Sequence, residues 1–269
     1  GTARIAREHG ACVKRESRQG KGNVVRQMFR DIEADIYILV DGDDTAMAAD
    51  VHTLMQPIID GNADMVIGDR LSRNDYQRQN KRPLHTFGNR LICSLINFLY
   101  RATITDALSG FRAFSRSFVK TFPILSTGFE VEVEMDIHAI DKNWRVVEIP
   151  VAYQDRPEGS VSKLSTIRDG FRIVACIMSL FKDYKPLVLF ATIGILLILI
   201  GLACGITVVM DFLATGLVER FPTALLAVAL VISGMLSLAC GLILDTTVKG
   251  YRKQYELEIL RASSHRIAE

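Results

Sequence analysis

Two stretches of this chain lack charge altogether. Residues 186–210 and 221–244 contain no Asp, Glu, Lys or Arg. Each exceeds the roughly 20 apolar residues that cross a hydrocarbon core about 30 Å thick, and a globular core helix rarely goes that long without a charge. Both lie far from the N-terminus, so neither stretch is itself a signal peptide. Cysteine is sparse and scattered: Cys12, Cys93, Cys176, Cys204 and Cys240 form no C-x-x-C pair. Neither a zinc site nor a disulfide framework is therefore supported. The formal net charge of the 269 residues is only +2, so nothing points to nucleic acid. Repeats and low-complexity segments are also missing.

What is present is apolar overall, with 49% hydrophobic residues and a mean hydropathy of +0.21. The excess sits in the last third. Arg168, Arg172, Lys182 and Lys185 precede the first charge-free stretch, and Lys249, Arg252 and Lys253 follow the second. The connector carries Asp211, Glu219 and Arg220. Basic flanks stay inside, which puts both termini and the soluble portion of a multi-pass inner or plasma membrane protein in the cytoplasm. The expected plan is a cytoplasmic domain over 1–165, a juxtamembrane amphipathic helix over 166–185, spans at 186–210 and 221–244, and a cytoplasmic tail over 245–269.

Within the first 165 residues, buried strand patterns alternate with helical ones. Helices are predicted over 2–9, 21–33, 49–60, 85–101 and 129–142, and strands over 11–15, 36–40, 63–68, 112–114 and 145–151. Such alternation implies an α/β domain with a mainly parallel sheet covered on both faces. Helix 85–101 sets Phe87, Leu91, Leu95, Phe98 and Leu99 against Asn89, Arg90, Asn97 and Arg101. Residues 167–181 put Ile167, Phe171, Val174, Met178 and Phe181 on one stripe, as expected of a helix in the membrane interface. The chain opens on Gly1 in mid-helix, so the first βαβ portion of a doubly wound domain is expected to be missing.

Five groups of residues could carry chemistry. The run Ile36–Val40 ends in Asp41-Gly42-Asp43-Asp44. Carboxylates two apart in an extended segment project to one side, and the carboxyl end of a buried strand is where an open α/β sheet holds ligands. Gly42 lets the backbone turn closely past one. The competing readings are an ordinary Asp-Gly turn and a calcium loop. The calcium loop fails, because its sixth position is Ala46 and its twelfth His52. Gly20-Lys21-Gly22 opens a helix where an N-terminus and a lysine could face phosphate, or it is a solvated loop; it lacks the spacing of a Walker loop. Asp106 to Arg112 puts an acid and an arginine around a glycine turn, for catalysis or as a structural ion pair. Arg156, Ser160, Ser162 and Lys163 suit a phosphate, or merely anionic headgroups. Glu130, Glu132 and Glu134 read as a solvated helix face, with Glu130 bordering the site, and the five histidines read as structural.

In order along the chain, Val40-Asp41-Gly42-Asp43, Ile67-Gly68-Asp69-Arg70, Ser109-Gly110-Phe111-Arg112 and Pro150–Tyr153 through Gly159, Ser162 and Lys163 resemble the family 2 glycosyltransferases that make polyprenyl-phosphate sugars. The resemblance spans about residues 1–185 and says little about the sugar. It implies a GT-A-like fold with a mixed, mainly parallel sheet, followed by an interfacial helix and two transmembrane helices. It implies an inverting, metal-dependent transfer of a hexose from a UDP- or GDP-linked sugar to a polyprenyl phosphate. Asp41 and Asp43 would hold Mg²⁺ or Mn²⁺, with Lys21, Gly42 and Arg70 on the donor side. Asp106 would sit near the transferred sugar, and Arg112, Arg156, Ser162 and Lys163 at the acceptor phosphate or the diphosphate. The family's first strand, with its base-binding Asp, has no counterpart here, and Asp44 replaces an apolar residue common after the acid pair.

Two alternatives stay open. A processive polysaccharide synthase would carry Gln-x-x-Arg-Trp, whereas the one tryptophan, Trp144, sits in Asn143-Trp144-Arg145. A noncatalytic membrane interaction module could retain the fold. Glycines at 194, 201, 205, 234 and 241 offer close-packing faces in the spans, compatible with a homo-oligomer, dimer or tetramer.

Overall fold

The computed structural model describes residues 1–72, 83–155 and 166–267; in the last two segments it covers side chains for 86–155 and 169–260. The chain divides into two units, Gly1–Ile177 and Met178–Glu269. The first begins with helices α1 (Thr2–Glu8) and α2 (Lys21–Asp31), strand β1 (Ile36–Leu39), α3 (Val51–Ile59) and β2 (Met65–Asp69). It continues with α4 (Pro83–Tyr100), β3 (Arg112–Ser115), α5 (Arg116–Thr121), α6 (Val131–Asp141) and β4 (Val146–Pro150). Helix α7 (Thr166–Tyr184) runs from the first unit into the second, which holds α8 (Pro186–Thr215) and α9 (Phe221–Ile267).

The strands form one sheet in the order β1-β3-β2-β4. β3 pairs antiparallel with both β1 and β2, and β2 pairs parallel with β4. Three strands thus point one way and β3 runs between two of them in the opposite sense. This mixed sheet with helices, followed by two long apolar helices, is the fold class the sequence led one to expect. The register sets Ile38, Ala113, Val66 and Val147 in a row across all four strands. Side chains alternate between faces along a strand. That row therefore faces one layer, where it packs with Leu54 of α3 and with Val151. The other face presents Tyr37 and Phe114 to Phe29 of α2, with ring centroids 5.9 and 5.6 Å apart. Phe114 stacks in turn on Phe118 of α5.

Three expectations need correction. Residues 11–15 form no strand among the described residues; a strand needs a neighbour to complete its ladder, and no described strand pairs with them. Helix α4 is rotated from the expected face. Asn89, Ile92, Cys93, Ile96 and Tyr100 are buried, while Phe87, Leu91 and Phe98 are exposed. The reason is polar: Asn89 donates to the Asp106 carboxylate at 2.8 Å and accepts from the Leu108 amide, which turns the helix to suit. The acidic face of α6 is not solvated at all. Glu132, Glu134 and Asp136 are buried with the apolar residues between them.

In the second unit, α8 and α9 lie against each other through glycine. An added Cβ at Gly194 would come within 2.8 Å of the Gly234 carbonyl oxygen, and one at Gly234 within 2.7 Å of the Gly194 carbonyl oxygen. Gly201 meets Ala227 in the same way, and Ser237 donates to the Phe190 carbonyl at 2.8 Å. Four of the five glycines that suggested oligomer contacts are thus used inside the hairpin, Gly241 against Phe190 being the fourth. Both helices are long and apolar enough to cross a membrane, and only 11% and 17% of their most apolar windows are buried in the protein. Core helices of a soluble protein would be mostly covered.

Candidate active site

The carboxyl ends of β1 and β2 and the amino end of β3 share one edge of the sheet, so residues 40–46, 69–72 and 106–112 converge there. Asp43 closes a tight turn: its Oδ1 accepts from the Thr45 hydroxyl at 2.7 Å and from the Thr45 amide at 3.4 Å. Asp44 completes it at φ 61°, a left-handed conformation that Asp tolerates better than most residues. The turn is tied to the segment after β4. Ala46 bridges Tyr153, the Gln154 amide donates to the Thr45 carbonyl, and the Ala152 amide donates to Asp50. Arg156, Ser162 and Lys163 follow shortly after and lie outside the described residues.

Lys21 reaches into this edge. Its Nζ lies 2.6 Å from Asp41 Oδ1 and 2.6 Å from Glu132 Oε1. The lysine is brought there by backbone docking. The Gly22 amide donates to the Gly128 carbonyl at 3.1 Å, and a Cβ at Gly20 or Gly22 would overlap the carbonyl oxygens of Thr127 and Ser126. Gly20 also holds φ 128°, open to glycine at little cost. The Gly-Lys-Gly element is therefore packed, not a solvated loop. Burial pulls the Lys21 pKa down, but Glu132 and Asp41 outweigh it and leave it raised. Gly110 touches the pair from the other side; its Cβ would lie 2.7 Å from Lys21 Nζ and 2.9 Å from Asp41 Cγ.

The second cluster surrounds Asp106, which is fully buried. Its Oδ2 accepts from the Arg70 backbone amide (3.1 Å) and Nε (2.9 Å), and its Oδ1 from Arg70 Nη2 (2.9 Å) and Asn89 Nδ2 (2.8 Å). A carboxylate has about four acceptor positions, and four donors are in place. Burial raises the Asp106 pKa, yet the Arg70 guanidinium more than compensates and holds it below the usual carboxylate range. Arg70 itself is aimed by Asp69, whose carboxylate accepts from the Leu71 and Ser72 amides and the Ser72 hydroxyl. Glu148 of β4 pins the loop from below, accepting from the Thr105 amide and hydroxyl and from the Asp106 amide. A cavity of about 650 Å³ opens beside this cluster, lined in part by Ser72, Arg90, Asn97, Phe98 and Thr105. Cys93 borders it, but burial pushes its thiol up to about 12, so it is no nucleophile.

Arg112 is not at the surface of the site. It is fully buried, with its fork on the Asp136 carboxylate, Nε on the Ser109 carbonyl at 2.7 Å and Nη2 on the Ala107 carbonyl at 2.9 Å. Nη1 also meets Met65 Sδ at 3.9 Å, which engages all five donors. The structure thus brings Lys21, Asp41, Asp43, Arg70 and Asp106 to one edge and sets Arg112 behind it as a strut. Glu132, Glu148, Asn89 and Asp136 were missed. The signal for Glu148 was available, since an acid inside the apolar run Val146–Pro150 calls for a partner.

The donor set is hard oxygen. Among the described residues no group of three His, Cys, Asp or Glu could hold a metal. Two carboxylates are nonetheless what Mg²⁺ commonly takes from a protein, the remaining positions going to water and substrate phosphate. The Asp41 side chain is 43% exposed and can be reached.

The family model Glycosyl transferase family 2 matches residues 1–122. The glycosyltransferase AglJ of Haloferax volcanii is 31% identical over 255 residues, covering 94% of this chain and 83% of that protein. The chain belongs to glycosyltransferase family 2. A further relative, an uncharacterised protein of Shigella flexneri, is 41% identical over 160 residues, 60% of this chain and 98% of its own. The dolichyl-phosphate hexose transferase of Haloferax volcanii is 28% identical over 156 residues, 58% of this chain and 66% of that one. A crystal structure of glucosyl-3-phosphoglycerate synthase from Mycobacterium tuberculosis with uridine diphosphate superposes with a TM-score of 0.49 at 19% identity. It covers 65% of this chain, which in turn spans 63% of that one. Of the residues at this glycosyltransferase's site edge, all but Glu132 and Glu148 fall inside the matched segment.

Proposed function

We propose that this glycosyltransferase moves a hexose from a nucleotide-sugar to a polyprenyl phosphate at a membrane surface, with inversion. The observation that carries the reading is the acid pair at the carboxyl end of β1: Asp41, partly open to solvent and set against Lys21, with Asp43, also partly exposed, two residues on. The similarity to a dolichyl-phosphate hexose transferase supports a lipid-phosphate acceptor. The two exposed apolar helices support an anchor, and the basic flanks support cytoplasmic termini. In this reading 1–165 is the catalytic domain, 166–185 the interfacial helix, 186–210 and 221–244 the spans, and 245–269 the tail. Of the expected stripe, Phe171, Val174 and Met178 of α7 are exposed, as an interfacial helix requires, whereas Phe181 is buried and the Ile167 side chain lies outside the described residues.

The residues fit a divalent cation. Asp41 and Asp43 would hold Mg²⁺ or Mn²⁺, which would neutralise charge on the departing nucleoside diphosphate. The acceptor phosphate carries a charge of about −1.5 to −2 at neutral pH and is already a nucleophile. No strong general base is needed. That suits Asp106, whose acceptor positions are filled: it orients Arg70 instead of taking a proton. Lys21 and Arg70 supply positive charge where two anions must meet, and Gly42 gives the diphosphate room to approach. Arg156, Ser162 and Lys163 would meet the acceptor phosphate.

The test incubates the full-length protein in membranes with Mg²⁺ and a panel of labelled UDP- and GDP-sugars. Chelator-sensitive label extracted into organic solvent is the expected result. No organic-phase label with any donor, or label indifferent to chelator, overturns the proposal in its acceptor or its metal part respectively.

A further inference from the structure

Lys21 is held by two carboxylates of unequal burial: the Asp41 side chain is 43% exposed and the Glu132 side chain 5%. Glu132 Oε1 takes the ammonium, while Oε2 is buried and accepts no hydrogen bond among the described residues. A buried carboxylate oxygen left without a donor is unfavourable and calls for a reason. An ammonium has three donors, and two are engaged here. Gly110 makes room for the ion pair, since a Cβ there would lie 2.7 Å from Lys21 Nζ and 2.9 Å from Asp41 Cγ.

We propose that Lys21 stands in for the divalent cation at Asp41, and that Glu132 is the positioning residue that keeps Lys21 when the cation arrives. This rests on Asp41 and Asp43 being the metal pair. A dication at Asp41 repels the ammonium, which must then find another anion or be expelled. Glu132 offers one without any charge leaving the protein: Lys21 exchanges a bridge between two carboxylates for both oxygens of one. Asp41, the wetter partner, is released to the ion. Without the Glu132 charge, Lys21 and Asp41 form a closed neutral pair, and the ion has to break it with nowhere for the ammonium to go.

Binding of Mn²⁺ alone to the full-length protein in detergent, followed by the electron paramagnetic resonance of free Mn²⁺, tests this. Glu132→Gln is expected to weaken Mn²⁺ binding roughly tenfold, as loss of an outer-shell partner does. Lys21→Met is expected to tighten it several-fold by removing the competitor. In the Lys21→Met background, Glu132→Gln is expected to change the affinity by less than about twofold, because the coupling runs through Lys21. Three results overturn the inference: wild-type affinity in Glu132→Gln, an equal loss in both backgrounds, or unchanged or weaker binding in Lys21→Met. If Glu132→Gln does not fold, Lys21→Met decides alone. Should Asp43→Ala leave Mn²⁺ binding intact, the metal pair itself is wrong and this inference falls with it. Asp43→Ala abolishing binding while Glu132→Gln is silent sinks the Glu132 role only.

Discussion

Removing the Arg112 side chain separates a strut from a phosphate ligand. Arg112→Met leaves the Asp136 carboxylate without a partner in a fully buried position. Breaking a buried pair from one side costs about 3–5 kcal/mol. The Ser109 and Ala107 carbonyls also lose their donors, so the upper end of that range applies. For a unit of this size, Gly1–Ile177, each kcal/mol moves the melting point by about 2–4 °C, giving a fall of roughly 10–20 °C. Arg112→Lys should do little better, because three donors without a fork cannot replace five. Replacing both partners, Arg112→Met with Asp136→Leu, should recover part of the loss, since an apolar pair can substitute for a buried ionic one. The assay is built into the chain. Trp144 is its only tryptophan and packs edge-on against Phe118 at 5.8 Å, so tryptophan fluorescence follows the sheet domain and not the apolar helices. Melting within about 2 °C of wild type, together with a raised KM for the acceptor lipid, would show that Arg112 meets substrate and that the strut reasoning is wrong.

Gly22→Ala drives a Cβ into the Ser126 backbone, with the carbonyl carbon at 2.8 Å, whereas Gly42→Ala meets nothing within 4 Å. The first should lose about 1–3 kcal/mol of stability and misplace Lys21; the second should melt like wild type, and a selective rise in donor KM would report a ligand passing Gly42. Asp106→Asn should retain more activity than Asp43→Ala while lowering stability by about 1–3 kcal/mol, as half of the Arg70 clamp goes; greater loss of turnover in Asp106→Asn than in Asp43→Ala contradicts the orienting role. His138 is held neutral, burial first and Lys142 second lowering its pKa to about 3. The unfolded chain therefore binds a proton near pH 6.5 that the native state refuses. Stability should be complete above that pH and fall by about 1.4 kcal/mol per unit below it, about 2 kcal/mol by pH 5; urea titrations of His138→Leu should show a flatter acid limb.

What the sequence made legible follows from how local the physics is. The apolar helices are announced by missing charge, a property of the residues themselves. Strands β1, β2 and β4 are announced by apolar runs and their ends by Asp41 and Asp69, because a strand leaving the sheet must change composition at once. The reversed course of β3 is not legible, since direction in a sheet is set by partners far along the chain. The face of α4 was misread for a related reason. Apolar periodicity favours Phe87, Leu91 and Phe98, but one buried amide, Asn89, satisfies Asp106 and outweighs them. Leaving the buried Asp106 charge short of that donor would cost its desolvation penalty, and the same face also buries Ile92, Cys93, Ile96 and Tyr100, so apolar burial is kept when the helix turns.

The acids of α6 were misread for a different reason, and their spacing contains the correction. Positions two apart on a helix diverge, while those four apart share a face. Glu132 and Asp136 therefore form one set, and they take the two cations, Lys21 and Arg112. Glu130 and Glu134 form the other, and they accept the backbone amides of Thr127 and Gly128 and of Leu125 and Ser126. Those same residues, 126–128, are the floor on which Gly20 and Gly22 rest. One face of the helix thus neutralises Lys21 and the other builds the surface that delivers it. Acids at alternate positions, with Val131, Val133, Met135 and Ile137 between them, cannot be a solvated face, because both sides of the helix would then expose apolar residues. They mark a helix buried all round, and each of its charges requires a partner drawn from elsewhere in the chain.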